Sequence, residues 1–202
     1  MNPRYLSYLW LFVAVALAGC SDRETPFAPP KPASIVLENP GFEMPGADHD
    51  IPGWNLSQHA GDPAYDMTVD TSIAATGKQS FRMTQTLPEA YGMIEQHVTA
   101  SPDLIGKTMR LTAKLKTSGV SAEGWSLFLF VADASEYIWT TDSAQPIVGN
   151  TDWQTIEVIG KVSPNTARFT VGARLADSGS GGTAWLDDVE LRVMEDAPTA
   201  KP

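Results

Sequence analysis

Two adjacent carboxylates, Asp187 and Asp188, interrupt an otherwise apolar run near the end of the chain, GTAWLDDVELRV over 182–193. Side chains of a strand alternate between its two faces, so one of the pair is directed toward the core, where an unpartnered charge is costly. If the strand is regular, Trp185, Asp187, Val189, Leu191 and Val193 share the inward face. If Ala184 and Leu186 point inward instead, the phase switches at the Asp pair and a bulge is required. The sequence leaves that choice open, and with it the orientation of Trp185. Neighbours facing opposite ways cannot both address one substrate, so the pair reads as structural rather than catalytic. The other residues with chemical potential are scattered. His49, His59 and His97 lack metal-ligand spacing, and no G-x-S-x-G, H-E-x-x-H or P-loop pattern occurs. Glu95 and Glu157 could be imagined as a glycosidase dyad, but nothing distinguishes them from the other acids of an acidic chain. No catalytic residue is assigned, and the expectation is a protein that is not an enzyme.

The elements that must position these residues begin behind an N-terminal leader. Arg4 precedes an apolar run over 9–18, LWLFVAVALA, which has the length of a signal-peptide core and is short for a bilayer span. The run ends in Leu17-Ala18-Gly19-Cys20, and Cys20 is the only cysteine, so no intrachain disulfide is available. The tetrad resembles the lipobox of bacterial lipoproteins. That resemblance implies cleavage after Gly19 and a covalent lipid (diacylglycerol and palmitate) on Cys20, each buried CH₂ adding about 0.8 kcal/mol of membrane affinity. Ser21 implies the outer membrane rather than the inner in a Gram-negative envelope. Residues 1–19 thus read as signal peptide and 20–33 as lipidated Cys and Pro-rich tether, with a reach of about 40 Å at polyproline spacing. Residues 34–194 read as one domain, and 195–202, with no pattern, as a disordered tail.

The whole chain carries 14 Lys and Arg against 24 Asp and Glu, and loss of 1–19 removes only Arg4, leaving 13 against 24, net −11. That balance argues against nucleic acid, whose recognition relies on basic side chains, and against an anionic membrane surface. Within 34–194 the dominant signal is period-two alternation. Met109, Leu111, Ala113 and Leu115 alternate with Arg110, Thr112, Lys114 and Lys116; Phe169, Val171, Ala173 and Leu175 alternate with Arg168, Thr170, Gly172 and Arg174; Tyr65, Met67 and Val69 alternate with Asp66, Thr68 and Asp70. Turn residues recur at intervals of roughly ten, the pattern of a sandwich or barrel. The expectation is all-β, with about ten strands. Residues 127–131, LFLFV, are apolar on both faces and predict a central strand covered on both sides.

An ordered series of motifs adds a family likeness. Asn39-Pro40-Gly41-Phe42-Glu43, Pro52-Gly53-Trp54, Gly77-Lys78-Gln79-Ser80, Gln96 within 94–98, Gly106-Lys107, Asp152-Trp153 and Trp185-Leu186-Asp187-Asp188-Val189 resemble, in order, those of CenC-type carbohydrate-binding modules. The resemblance covers about 34–194. It implies a galactose-binding-like jelly-roll β-sandwich of two antiparallel sheets, and a structural Ca²⁺ held by Glu43 and by Asp187 or Asp188, with carbonyls near Asn39 and Ser80. It further implies a polysaccharide or cell-envelope glycan as partner. Sugars bind on aromatic faces flanked by hydrogen-bonding groups, which nominates Tyr91, Trp125, Tyr137 and Trp139, with Gln96 and Arg174 as polar partners. Trp54 and Trp153 are expected in structural positions. Leu127, Leu129 and Val131 are expected on the outer face of the central strand. Such an aliphatic floor suits a protein segment better than a sugar, so the alternative is an envelope protein-interaction domain on the same fold.

Overall fold

The computed structural model describes residues 34–47, 50–133, 137–140, 145–176 and 181–194. Cys20 with its leader and tether, His49 and the 195–202 tail lie outside the described residues. Ten strands are present among those described: β1 (Ser34–Ile35), β2 (Asn55–Gln58), β3 (Tyr65–Asp70), β4 (Ser80–Gln85), β5 (Tyr91–Thr99), β6 (Thr108–Asp133), β7 (Tyr137–Thr140), β8 (Ile147–Lys161), β9 (Thr166–Ala176) and β10 (Gly182–Met194). All their pairings are antiparallel. The fold is an all-β sandwich, as the alternating runs require.

The 26-residue strand β6 belongs to both layers. Its first half pairs with β10 and β8, and β10 continues to β4, β3 and the short β1. Its second half pairs with β9 and β7, and β9 continues to β5 and β2. One face of each half feeds a common core. Met109, Leu111, Ala113 and Leu115 enter it from the first half, Trp125, Leu127, Leu129 and Val131 from the second.

The register across the second sheet corrects one expectation. Leu127 lies opposite Ala173, Leu129 opposite Val171 and Val131 opposite Phe169, and all six side chains belong to the core cluster. The aliphatic row is therefore the inner face. The outer face of β6 carries Ser126, Phe128, Phe130 and Ala132. Period two alone cannot orient a strand whose two faces are both apolar; the partner row on β9, which alternates cleanly, decides it.

The opening motif owes its composition to a compact loop. Asn39 takes a left-handed backbone at φ 46°, a region that Asn tolerates better than most residues. Its Oδ1 accepts from Met44 N at 3.0 Å, its Nδ2 donates to Pro52 O at 3.2 Å, and its carbonyl accepts from Trp54 Nε1 at 3.0 Å. Phe42 is thereby driven into the core, its ring 5.3 Å from Trp54 and 5.9 Å from Phe81. Gly53 at φ 81° follows Pro52 in the turn that brings Trp54 back, with Trp54 N donating to Ile51 O at 2.9 Å, as a Pro-Gly turn favours.

Because Leu129 is fully buried, Leu129→Ala is expected to lower the unfolding free energy by about 2–5 kcal/mol, read from urea denaturation. A loss below about 1 kcal/mol would contradict the assignment of this row to the core.

Candidate functional site

The Asp pair sits on a bulge. Ala184 and Leu186 point inward, Val189 and Leu191 point inward, and the β10–β6 register shifts between Asp187 and Glu190. Asp188, at φ 50°, absorbs the switch. Of the two carboxylates, Asp187 is the buried one. Its Oδ2 accepts from Ala75 N at 2.8 Å and Thr76 N at 3.1 Å, and its Oδ1 accepts from Asp188 N at 2.8 Å. Burial pushes its carboxyl above the usual range against the pull of the Thr76, Ala75 and Asp188 N–H groups, and the neighbouring charge of Asp188 adds to the rise. Asp188 turns the other way and accepts from Thr76 Oγ1 at 2.6 Å.

Glu43 reaches the same loop. Its Oε1 accepts from Lys78 N at 2.8 Å and Gln79 N at 3.2 Å, while Gln79 Nε2 donates to Phe42 O. A Cβ on Gly41 would lie 3.7 Å from Asp187 Oδ1 and 3.9 Å from Glu43 Cγ, so both acidic side chains pack against the same glycine. Among the described residues neither carboxylate pairs with a Lys or Arg. That surplus of negative charge on two oxygen-donor groups suits a hard cation. Asp188 accepts from the side chain of the same Thr76 whose N–H serves Asp187, and no group of three or more His, Cys, Asp or Glu that could hold a metal ion occurs among the described residues. A cation here would draw on Glu43, Asp187 and main-chain carbonyls.

The second candidate is the outer face of the second sheet. Antiparallel partners directly opposite share a face, which arranges the residues in rows. Met93, Arg174 and Ser126 form one row; Glu95, Gly172 and Phe128 the next; His97, Thr170 and Phe130 the third; Thr99, Arg168 and Ala132 the fourth. The β7 register sets Trp139 opposite Phe130 and Tyr137 opposite Ala132; the side chains of both lie outside the described residues. Phe128 and Phe130 stack with centroids 4.3 Å apart. Phe128 is itself buried and backs the partly exposed Phe130. His97 Nδ1 and Thr170 Oγ1 are hydrogen-bonded at 3.0 Å, and His97 Nε2 lies 3.7 Å from Glu95 Oε1.

The nominated sugar contacts divide accordingly. Tyr91, opposite Ala176, shares this face with Arg174, its ring edge-on to His59 at 5.6 Å. Gln96 does not. It points to the inner side, where its Oε1 accepts from Glu38 N and its Nε2 donates to Glu38 O, both at 2.8 Å. Trp125 is also a core residue, fully buried, its Nε1 donating to Trp185 O at 3.1 Å. Sequence reasoning missed Phe128, Phe130, His97 and Thr170. Their signal was the alternation within 127–131 and 168–175, usable only with the strand faces oriented. Trp54 is buried as expected, and Trp153 is half-buried on β8.

No protein-family model matches the chain. An uncharacterized HTH-type transcriptional regulator of Bacillus subtilis (strain 168), YbfP, is 28% identical over 152 residues, covering 72% of this chain and 49% of that protein. The chain thus spans about half the length of the curated relative it matches. Among solved structures, the Stig cyclase FisC from Fischerella sp. TAU superposes with a TM-score of 0.60 at 16% identity, over 81% of this chain and 98% of that one. The CBM22-1 xylan-binding domain of Paenibacillus barcinonensis Xyn10C gives 0.55 at 17%, over 83% and 99%. Carbohydrate-binding modules and cyclases therefore share this β-sandwich fold, and at these identities the likeness extends to the fold alone.

Trp185, the residue the sequence left unoriented, lies on the outer face of the first sheet between Arg82 and Lys116. Its Nε1 donates to Asp70 Oδ2 at 2.9 Å. Burial raises the Asp70 carboxyl, but hydrogen bonds from Ser72 Oγ, Trp185 Nε1 and the Ser72 and Ile73 N–H groups together bring it below the usual range. A lowered folded-state value contributes stability above the unfolded value of about 3.9, and that contribution is lost as pH falls through the folded one. Urea midpoints from pH 2 to 7 should therefore show wild type more stable than Asp70→Asn near neutrality, with the gap closing in acid. A gap that persists unchanged to pH 2 would contradict the linkage.

Proposed function

We propose that the chain is a non-catalytic binding module that takes a cell-envelope glycan or other polysaccharide on the outer face of its second sheet, lipid-anchored through Cys20 to the bacterial envelope. The observation that carries this reading is the partly exposed Phe130 ring, backed by the buried Phe128 at 4.3 Å and flanked by His97 and Glu95, with Arg174 further along the same face. A partly exposed ring receives the C–H face of a sugar ring, and exposed polar groups beside it, His97 first, meet its hydroxyls. The fold shared with a xylan-binding domain and with a carbohydrate-binding module solved in complex with β-1,4-galactotriose is in keeping with this. The envelope-protein alternative drew its support from an aliphatic outer face on β6, and Leu127, Leu129 and Val131 are core residues instead; it is retained as an outcome of the test. The outer membrane is the proposed destination.

On a glycan array, the chain in detergent micelles should bind at least one polysaccharide, and Phe130→Ala or Trp139→Ala should weaken that binding about tenfold or more, since one aromatic–base stack of comparable area contributes about 1–3 kcal/mol. Retention of envelope proteins with no glycan bound would favour the alternative.

We further propose that Ca²⁺ occupies the clasp between Glu43 and Asp187. Chelator should lower the melting temperature of wild type, and Asp187→Asn should abolish that response. Melting indifferent to chelator and to added Ca²⁺ would leave the clasp to its hydrogen bonds alone.

A further inference from the structure

A hollow of about 580 Å³ opens on the outer side of the first sheet, within the size range of small-molecule sites. Three neighbouring strands build its floor: Thr112 and Lys114 come from β6, Thr155 from β8, and Asp188 and Glu190 from β10. Lys114 lies opposite Thr155, and Glu190 opposite Thr112. The segment after β1 forms one wall. Ile35 is fixed to Leu191 by strand pairing, and Val189 N donates to Pro40 O at 2.9 Å. Val36, between these two anchors, is 91% exposed and lines the hollow together with Pro40. Thr155 and Pro40 are exposed, and Thr112, Lys114, Asp188 and Glu190 are half-buried, so the floor is open to solvent.

Opposite charges border this space without meeting. Lys114 Nζ donates to Thr155 Oγ1 at 2.7 Å, which turns the ammonium toward β8, and it makes no ion pair among the described residues. An ammonium has three N–H donors, so two are left over. On β10, Asp188 accepts from the Thr76 hydroxyl and has no Lys or Arg partner among the described residues. Glu190 is already paired with Arg192, which leaves Asp188 as the acid to be matched. Strands β8 and β10 flank β6 and therefore lie roughly 10 Å apart. Two charge-assisted hydrogen bonds of about 2.8 Å take up much of that span and leave a few bonds between the ligand's own charges. Among the described residues no aromatic ring lines the hollow, so it lacks the stacking surface that a sugar would use.

We infer that this hollow binds a small zwitterion, an α-amino acid or dipeptide with an aliphatic side chain. Its carboxylate meets Lys114, its ammonium meets Asp188, and its side chain packs on Val36 and Pro40. The site lies on the opposite sheet from the proposed glycan face and does not depend on it.

Calorimetric titration of the full chain in detergent micelles tests this, with leucine and leucyl-leucine as the zwitterions. N-acetylleucine keeps only the carboxylate, and leucinamide only the ammonium. The zwitterions should bind saturably and each singly charged analogue on the order of tenfold more weakly, the effect of losing one charge-assisted hydrogen bond. Whichever zwitterion binds more tightly identifies the free amino acid or the peptide as the source of that chemistry. Lys114→Gln should weaken leucine about tenfold and leave leucinamide unchanged, a pattern that general loss of structure would not give. Asp188→Asn should weaken leucine likewise and leave N-acetylleucine unchanged. Val36→Ser, at an exposed position, should weaken leucine several-fold and leave glycine unaffected. Absence of saturable heat from every probe, analogues that match the zwitterions, or full leucine affinity in both charge variants would overturn the inference.

Discussion

A carboxylate with no solvent exposure has to be satisfied where it sits, and much of the upper architecture of this domain is arranged around that of Asp187. Three main-chain N–H groups converge on it, two of them from the loop between β3 and β4. The same loop delivers two more N–H groups to Glu43, which belongs to the first turn of the domain. The first turn of the domain, the β3–β4 connection and the last strand are thereby joined at one point. The bulge at Asp188 follows from the same demand. It lets Ala184 and Leu186 face the core on one side of the pair and Val189 and Leu191 on the other.

The second organising constraint is the continuity of β6. One strand serves two sheets, so the inward rows of both layers are set by a single backbone, and the core runs unbroken from Met109 to Val131. What this leaves outside differs between layers. The first sheet presents charged residues in pairs, Arg82 with Asp66, Arg110 with Glu157, Lys116 with Asp152 and Arg192 with Glu190, over a Trp185 pinned by Asp70. The second presents the partly exposed Phe130 beside an exposed imidazole, with Phe128 buried beneath it. A mosaic of ion pairs keeps a surface wet; a partly exposed aromatic ring beside hydrogen-bonding groups is a surface on which a ring-shaped ligand gains by displacing water.

The amino-acid sequence by itself determined that the domain is all-β, roughly how many strands it has and where most lie, because period-two alternation records which residues each strand buries. It also determined that an acid at 187 or 188 would need a partner, since a buried charge cannot be left unpaired. Which Asp is inward, which face of 127–131 meets the core, and where Gln96 and Trp125 point were decided only by tertiary structure. Gln96 is polar and Trp125 aromatic, so both looked like surface ligands; the first is spent on the Glu38 main chain and the second fills the core. The rows that set Arg168, Arg174, His97 and the Phe pair side by side join residues up to about eighty positions apart. Period reports burial within a strand and carries no information on register between strands, which is why the candidate face emerges only when the sheet is assembled.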